Sequence, residues 1–214
     1  MTSTLTEPTK TAHQRATAVL TLAAGSLFVL VPLLVEFVSG DAFVLMGVAG
    51  LLVLAALPGL RRMQGGADGR AGRMGLRLIV GGLVLLVGLI FTGDPLDAAL
   101  SGTVQEWAEG VFAVLGVASV LALFFGVLSF SFGMTVAGVF PRSAIWVFLG
   151  GMTVALLTEA FEQSLNGTVP TIADVLPVVG FMVAGGGLLM LGRAALRLAV
   201  RAGDDPRLEV SRPR

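Results

Sequence analysis

Every basic residue in this chain falls into one of four groups, and long apolar stretches separate one group from the next. A helix of roughly 20 apolar residues crosses the ~30 Å hydrocarbon core of a bilayer. Six stretches reach that length: 16–38, 42–60, 74–92, 107–132, 144–162 and 172–192. Lys10 and Arg15 precede the first stretch, and Arg61, Arg62, Arg70, Arg73 and Arg77 lie between or beside the second and third. Arg142 separates the fourth from the fifth, and Arg193, Arg197, Arg201, Arg207, Arg212 and Arg214 follow the sixth. With six spans, all 14 basic residues share one side, which the positive-inside rule makes cytoplasmic. The other side carries only acids: Glu36, Asp41, Asp94, Asp97, Glu106, Glu109, Glu159, Glu162 and Asp174. The expected fold is an all-α, polytopic bundle of six transmembrane helices with both termini cytoplasmic. Residues 1–15 form a cytoplasmic N-terminal tail, 16–192 the membrane domain and 193–214 a basic cytoplasmic C-terminal tail.

Composition agrees. The chain is 55% hydrophobic and 13% charged, with a mean hydropathy of +0.91; a soluble domain carries about 25% charged residues. The first apolar run follows Lys10 and Arg15, as the core of a signal peptide would. It is too long for one, and no small-x-small cleavage site follows it, so it reads as an uncleaved first span. Thirteen arginines against one lysine, with abundant Ala, Gly and Val, point to a high-GC bacterium and hence to its plasma (inner) membrane.

The residue types that are missing narrow the chemistry. Without cysteine there are no disulfides, thiolate metal sites or cysteine nucleophiles. The single histidine, His13, lies in the N-terminal tail, which excludes paired-histidine haem, histidine-rich metal sites and a Ser-His-Asp triad within the chain. No Walker A, GxGxxG, HExxH or GxSxG pattern occurs. No enzyme activity is expected, and no catalytic residue, cofactor or metal ligand is assigned. The basic groups are juxtamembrane, so nucleic acid is not an expected partner.

Interfaces leave their own marks. Trp107 and Trp146 sit at expected membrane edges. Arg193, Arg197 and Arg201 recur every four residues, as in a span continuing into a basic interfacial stretch where anionic lipid headgroups are the expected partners. Ala118, Ala122 and Gly126 form a small-residue stripe, as do Gly151 with Ala155 and Gly180 with Ala184; packing within one bundle is favoured over homo-oligomerisation. Residues 107–140 are apolar for longer than a bilayer needs. "SFSFGMTVAG" (129–138) either lies along the inner surface or extends a long, tilted helix. "GGG" at 185–187, with Pro177, marks a place where the sixth span could loosen.

Helix capping accounts for most of the acids on the non-basic side. "DPLD" puts Asp94 at an N-cap with Pro95 at the first helical position and Asp97 at the third, opening a short interfacial helix. "TVQE" and "TIAD" are capping boxes led by Thr103 and Thr171. Asp41 caps the second span, and Glu109 lies near the start of the fourth, where the helix dipole accepts negative charge. Glu36, Glu159 and Glu162 are different. They end the first and fifth spans, facing the negative end of the dipole at a cost of about 0.3–1 kcal/mol each. They are the candidate cation, proton or solute site.

The short Arg-rich inner loops, "TGDP" after the third stretch and "PRSAIWVFLGG" leading into the fifth resemble uncharacterised six-span integral membrane proteins of high-GC bacteria. The resemblance covers the whole chain and implies neither an activity nor any functional residue. The expected role is therefore drawn from the acids: small-solute or cation binding or transport through an outer vestibule at Glu36, Glu159 and Glu162. The alternative is a non-catalytic structural or regulatory subunit that packs against a partner membrane protein.

Overall fold

The computed structural model describes residues 7–37, 43–99, 103–164 and 172–204, and side-chain surroundings for most of these. Among the described residues there are six α-helices: α1 (Glu7–Phe37), α2 (Phe43–Met63), α3 (Gly69–Ala99), α4 (Thr103–Ala137), α5 (Arg142–Ser164) and α6 (Ile172–Asp204). Four of them contain stretches long and apolar enough to cross a membrane: Thr11–Leu34, Gly69–Leu89, Gly110–Ala137 and Val175–Ala202. α5 adds a shorter apolar stretch, Arg142–Thr158.

The helices are longer than their apolar runs. α1 begins at Glu7, nine residues before the first apolar stretch, because hydropathy marks what can enter lipid and not where the main-chain ladder starts. α4 settles the long apolar region: it continues through "SFSFGMTVA" to Ala137, a rise of about 52 Å at 1.5 Å per residue. Gly138, at φ +66°, then donates its N–H to the Met134 carbonyl, a left-handed glycine stop. Pro141 follows and opens α5, its carbonyl accepting from the Ala144 and Ile145 amides. One expected element is absent. Asp94 does not begin a new helix, because α3 runs unbroken to Ala99. Pro95 removes a single ladder bond, which is less costly than breaking a helix and leaving several main-chain groups unpaired.

Each helix packs on its neighbours in sequence, and α6 returns to α1, so the six form a closed ring. The α3–α4, α1–α6 and α5–α6 contacts are the most extensive, and α2–α3 the least. Phe130, Leu60, Met134, Ile145, Leu191 and Val31 are the largest apolar side chains buried almost completely. The outer faces are apolar as well: Trp107 is 78% exposed, Val114 69% and Phe132 64% along α4 alone. In water such a surface would aggregate; around a membrane helix it meets acyl chains.

Lipid tails are as apolar as leucine, so burial alone does not hold membrane helices together. Close van der Waals packing must do it. Glycines provide that closeness. Gly151 and Ala155 of α5 meet Ala184 and Gly180 of α6, main chain against main chain, as their four-residue spacing anticipates. On α4 the stripe differs from the expected one. Gly126 faces Ile79 of α3, but Ala118 is exposed and Ala122 only half-buried. The working positions are Ser119, Gly126 and Gly133, seven apart, against Gly82, Gly75 and Gly72 of the antiparallel α3. A seven-residue spacing keeps one seam in contact along a gently supercoiled pair. The "GGG" of α6 also has a packing role and does not break the helix. Gly185 lies against Gly25 of α1 and Gly187 against Phe148 of α5, so α6 is pressed from two sides.

Several hydroxyls in the helices are satisfied locally. Thr17, Thr21, Thr135 and Thr158 donate to the carbonyl four residues back, and Ser119 to the one three back. This removes the cost of an unpaired donor in an apolar surrounding.

Candidate functional site

The acids singled out from sequence sit at two helix ends, those of α1 and α5. Glu36 is the penultimate residue of α1, and Glu159 and Glu162 fall in the last turns of α5. Both helices pack against α6, and both run opposite to it: Gly25 lies at Gly185 and Leu22 at Gly192, while Phe148 lies at Gly187 and Ala155 at Gly180. Continued along the helices, these registers bring Glu36 from one side, and Glu159 and Glu162 from the other, level with the first two turns of α6. The α1 and α5 ends that carry these residues thus lie level with the start of α6. The side chains of Glu36, Glu159 and Glu162 lie outside the described residues, as do those of Asp94, Asp97, Glu106, Glu109 and Asp174. α4 begins at Thr103 and α6 at Ile172; Asp41 and Thr171, expected as caps, lie outside the described residues.

The opposite, Arg-bearing end of the bundle holds a polar group that the sequence reading did not single out. α2 closes through two successive turns, with Gln64 N–H donating to the Arg61 carbonyl (3.0 Å) and Ala67 N–H to the Gln64 carbonyl (3.1 Å). Gly65, Gly66 and Gly69 take positive φ values of 62°, 84° and 61°, a tight path that glycine makes without strain. The loop folds Gln64 and Asp68 inward, leaving them only 4% and 2% exposed. Asp68 immediately precedes α3, where a carboxylate is favoured by the dipole. The Arg61 Nε donates to its Oδ2 at 2.9 Å. The carboxylate is fully buried while the Arg61 side chain is 31% exposed, so the pair ties the end of α2 to the start of α3.

Neighbouring helices complete this end. Thr17 of α1 packs on Gly59 of α2, and one turn on, Arg62 donates to His13 Nε2 at 2.8 Å, a bond that requires the neutral ring. Gly72 and the Asp68 carbonyl lie against Gly133 of α4. Among the described residues, five buried polar atoms have no hydrogen-bond partner: Gln14 Oε1, Gln64 Oε1 and Nε2, Asp68 Oδ1 and Ser131 Oγ. Most buried polar groups in folded proteins are paired, so these atoms stand out. The signal in the sequence was Asp68 itself, the one acid among the Arg61–Arg77 group, set after "QGGA" and directly before a helix.

Among the described residues, no three His, Asp or Glu side chains gather as a metal site. Arg70, Arg73 and Arg77 on α3 and Arg193, Arg197 and Arg201 on α6 are all exposed. No protein-family model, curated protein or solved structure matches the chain.

Proposed function

We propose that this chain is a six-span protein of a bacterial plasma membrane, with both termini cytoplasmic, that binds or conducts a small cation or polar solute through an acidic outer mouth. The observation that carries this reading is the flanking of α6 by acids from two other helices, Glu36 on α1 and Glu159 and Glu162 on α5. The side with these acids has no basic residue to neutralise them, so a mobile cation is the natural counter-charge. Membership of the membrane-spanning class is supported by four long apolar stretches, and the six-span count by the up-and-down ring in which α2 and α5 take equivalent places. The exposed arginines of α3 and α6 then face the cytoplasmic headgroups, where anionic lipids favour them.

The test is the triple substitution Glu36→Gln, Glu159→Gln, Glu162→Gln, with cation-dependent thermal stability and uptake into proteoliposomes as readouts. The reading requires both to fall. It fails if the triple variant matches the parent in each.

A second reading, a non-catalytic subunit, rests on one feature. Trp107, Gly110, Val111, Val114 and Leu115 line an open apolar groove on α4. A stoichiometric membrane-protein partner co-purified in mild detergent, and lost on Gly110→Leu, would favour it.

A further inference from the structure

We infer that the helix ring is two bodies joined by a hinge. The α3–α4 hairpin swings as a unit against α2, α1, α6 and α5, opening and closing a lateral cleft between α2 and α3. The motion does not depend on an acidic mouth, because Glu36, Glu159 and Glu162 all belong to the four-helix body.

The close contacts divide the helices in this way. Gly75, Gly82, Gly126 and Gly133 each press α3 and α4 together, main chain against main chain. In the other body Gly25 meets Gly185 between α1 and α6, Gly151 meets Ala184 between α5 and α6, and Gly59 of α2 takes the Thr17 side chain of α1. Among the described glycines, none makes a main-chain contact between the hairpin and the other four helices. Only Gly50 of α2 reaches across, and a methyl there would stand 3.4 Å from Leu83 Cδ2 of α3, an ordinary side-chain contact. One turn further from the arginines, Gly47 has nothing within 4 Å.

That division has an energetic meaning in a membrane. Lipid tails are as apolar as leucine, so a contact made by side chains alone exchanges for acyl chains at little net cost, whereas main-chain closeness has no lipid substitute. The ring therefore parts at the joints that lack it. These are α2–α3, the least extensive contact in the ring, and α4–α5, the next least.

The connections supply the pivot. The chain passes between the two bodies twice, after α2 and after α4, and both passages lie at the Arg-bearing end. Gly65, Gly66, Gly69 and Gly138 are the positive-φ glycines among the described residues, and all four fall at these passages. Hinges concentrate their dihedral change in a few loop residues, and glycine has the widest choice of φ and ψ. The Arg61–Asp68 pair, at 2.9 Å, spans the first passage and holds α2 to α3 there. Displacement consequently grows toward the opposite end, where residues 100–102 connect α3 to α4 within the hairpin.

The test is double electron–electron resonance on full-length protein in lipid nanodiscs, using pairs of spin-labelled cysteines in a chain that has none of its own. Val84→Cys on α3 with Val183→Cys on α6 reports between the bodies. Leu51→Cys on α2 with Leu157→Cys on α5 reports within the four-helix body, and all four positions are exposed. A broad or two-peaked distance distribution is expected for the first pair and a single narrow one for the second. Gly66→Ala combined with Gly138→Ala, which disfavours the glycine-only conformations of both passages, narrows the first distribution. The proposal is overturned if the two pairs give equal widths, or if the double alanine variant keeps the parent distribution.

Discussion

Gly75 and Gly81 are both helical glycines of α3, yet their surroundings are opposite. A methyl group on Gly75 would meet the Phe130 main chain of α4, whereas one on Gly81 meets nothing within 4 Å. Gly75→Ala should therefore destabilise by about 1–3 kcal/mol through overpacking. Gly81→Ala should be neutral, or stabilising by up to about 1 kcal/mol from helix propensity. Unfolding in mixed micelles measures both, and equal effects would contradict the assigned seam. Arg61 makes a second contrast. Arg61→Ala leaves the Asp68 carboxylate buried without its cation, which costs about 3 kcal/mol or more. Pairing Arg61→Ala with Asp68→Asn should recover much of the loss in a double-mutant cycle. Full additivity of the two would mean that the pair contributes little to joining α2 and α3.

At the scale of elements, α6 is the informative helix. It runs through Pro177 and three consecutive glycines without a break, because α1 and α5 hold it from two sides. Hydrogen exchange should accordingly find the amides of 185–188 as slow as those of 195–198. Exchange as fast as at the chain termini would mean that the helix opens there. The contrast between α6 and the other helices also shows what was legible in the sequence. Apolar length and arginine placement located all six helices, and four-residue spacing located the Gly151–Ala155 seam. Neither could locate the seam on α4, since Ala118, Ala122 and Gly126 on one hand and Ser119, Gly126 and Gly133 on the other share a residue. Only the partner helix decides between spacings of four and seven. The halt expected at Asp94 failed for a related reason: a cap-like tetrapeptide records local preference, and α3 carries through it. Asp68 was overlooked because counting charges by side treats an acid among arginines as surface. Its burial follows from a three-dimensional turn of the glycine loop.

For the molecule as a whole, charge runs from one end to the other. The exposed Arg193, Arg197 and Arg201 continue α6 beyond its apolar stretch, and each should contribute about 1 kcal/mol of attraction to an anionic surface. Substituting all three with Gln is expected to remove most of the extra thermal stability given by phosphatidylglycerol over phosphatidylcholine; an unchanged lipid preference would place the lipid contact elsewhere. The same polarity underlies the central claim, six spans with every arginine inside. A chain without cysteine allows that claim to be tested directly, by single cysteines at positions 3, 39, 66, 97, 142, 166 and 211 and a membrane-impermeant maleimide applied to intact cells. Labelling is predicted at Ser39→Cys, Asp97→Cys and Asn166→Cys, with Ser3→Cys, Gly66→Cys, Arg142→Cys and Ser211→Cys reacting only after permeabilisation. Labelling of Gly66→Cys or Arg142→Cys in intact cells, or of one terminus and not the other, would contradict it.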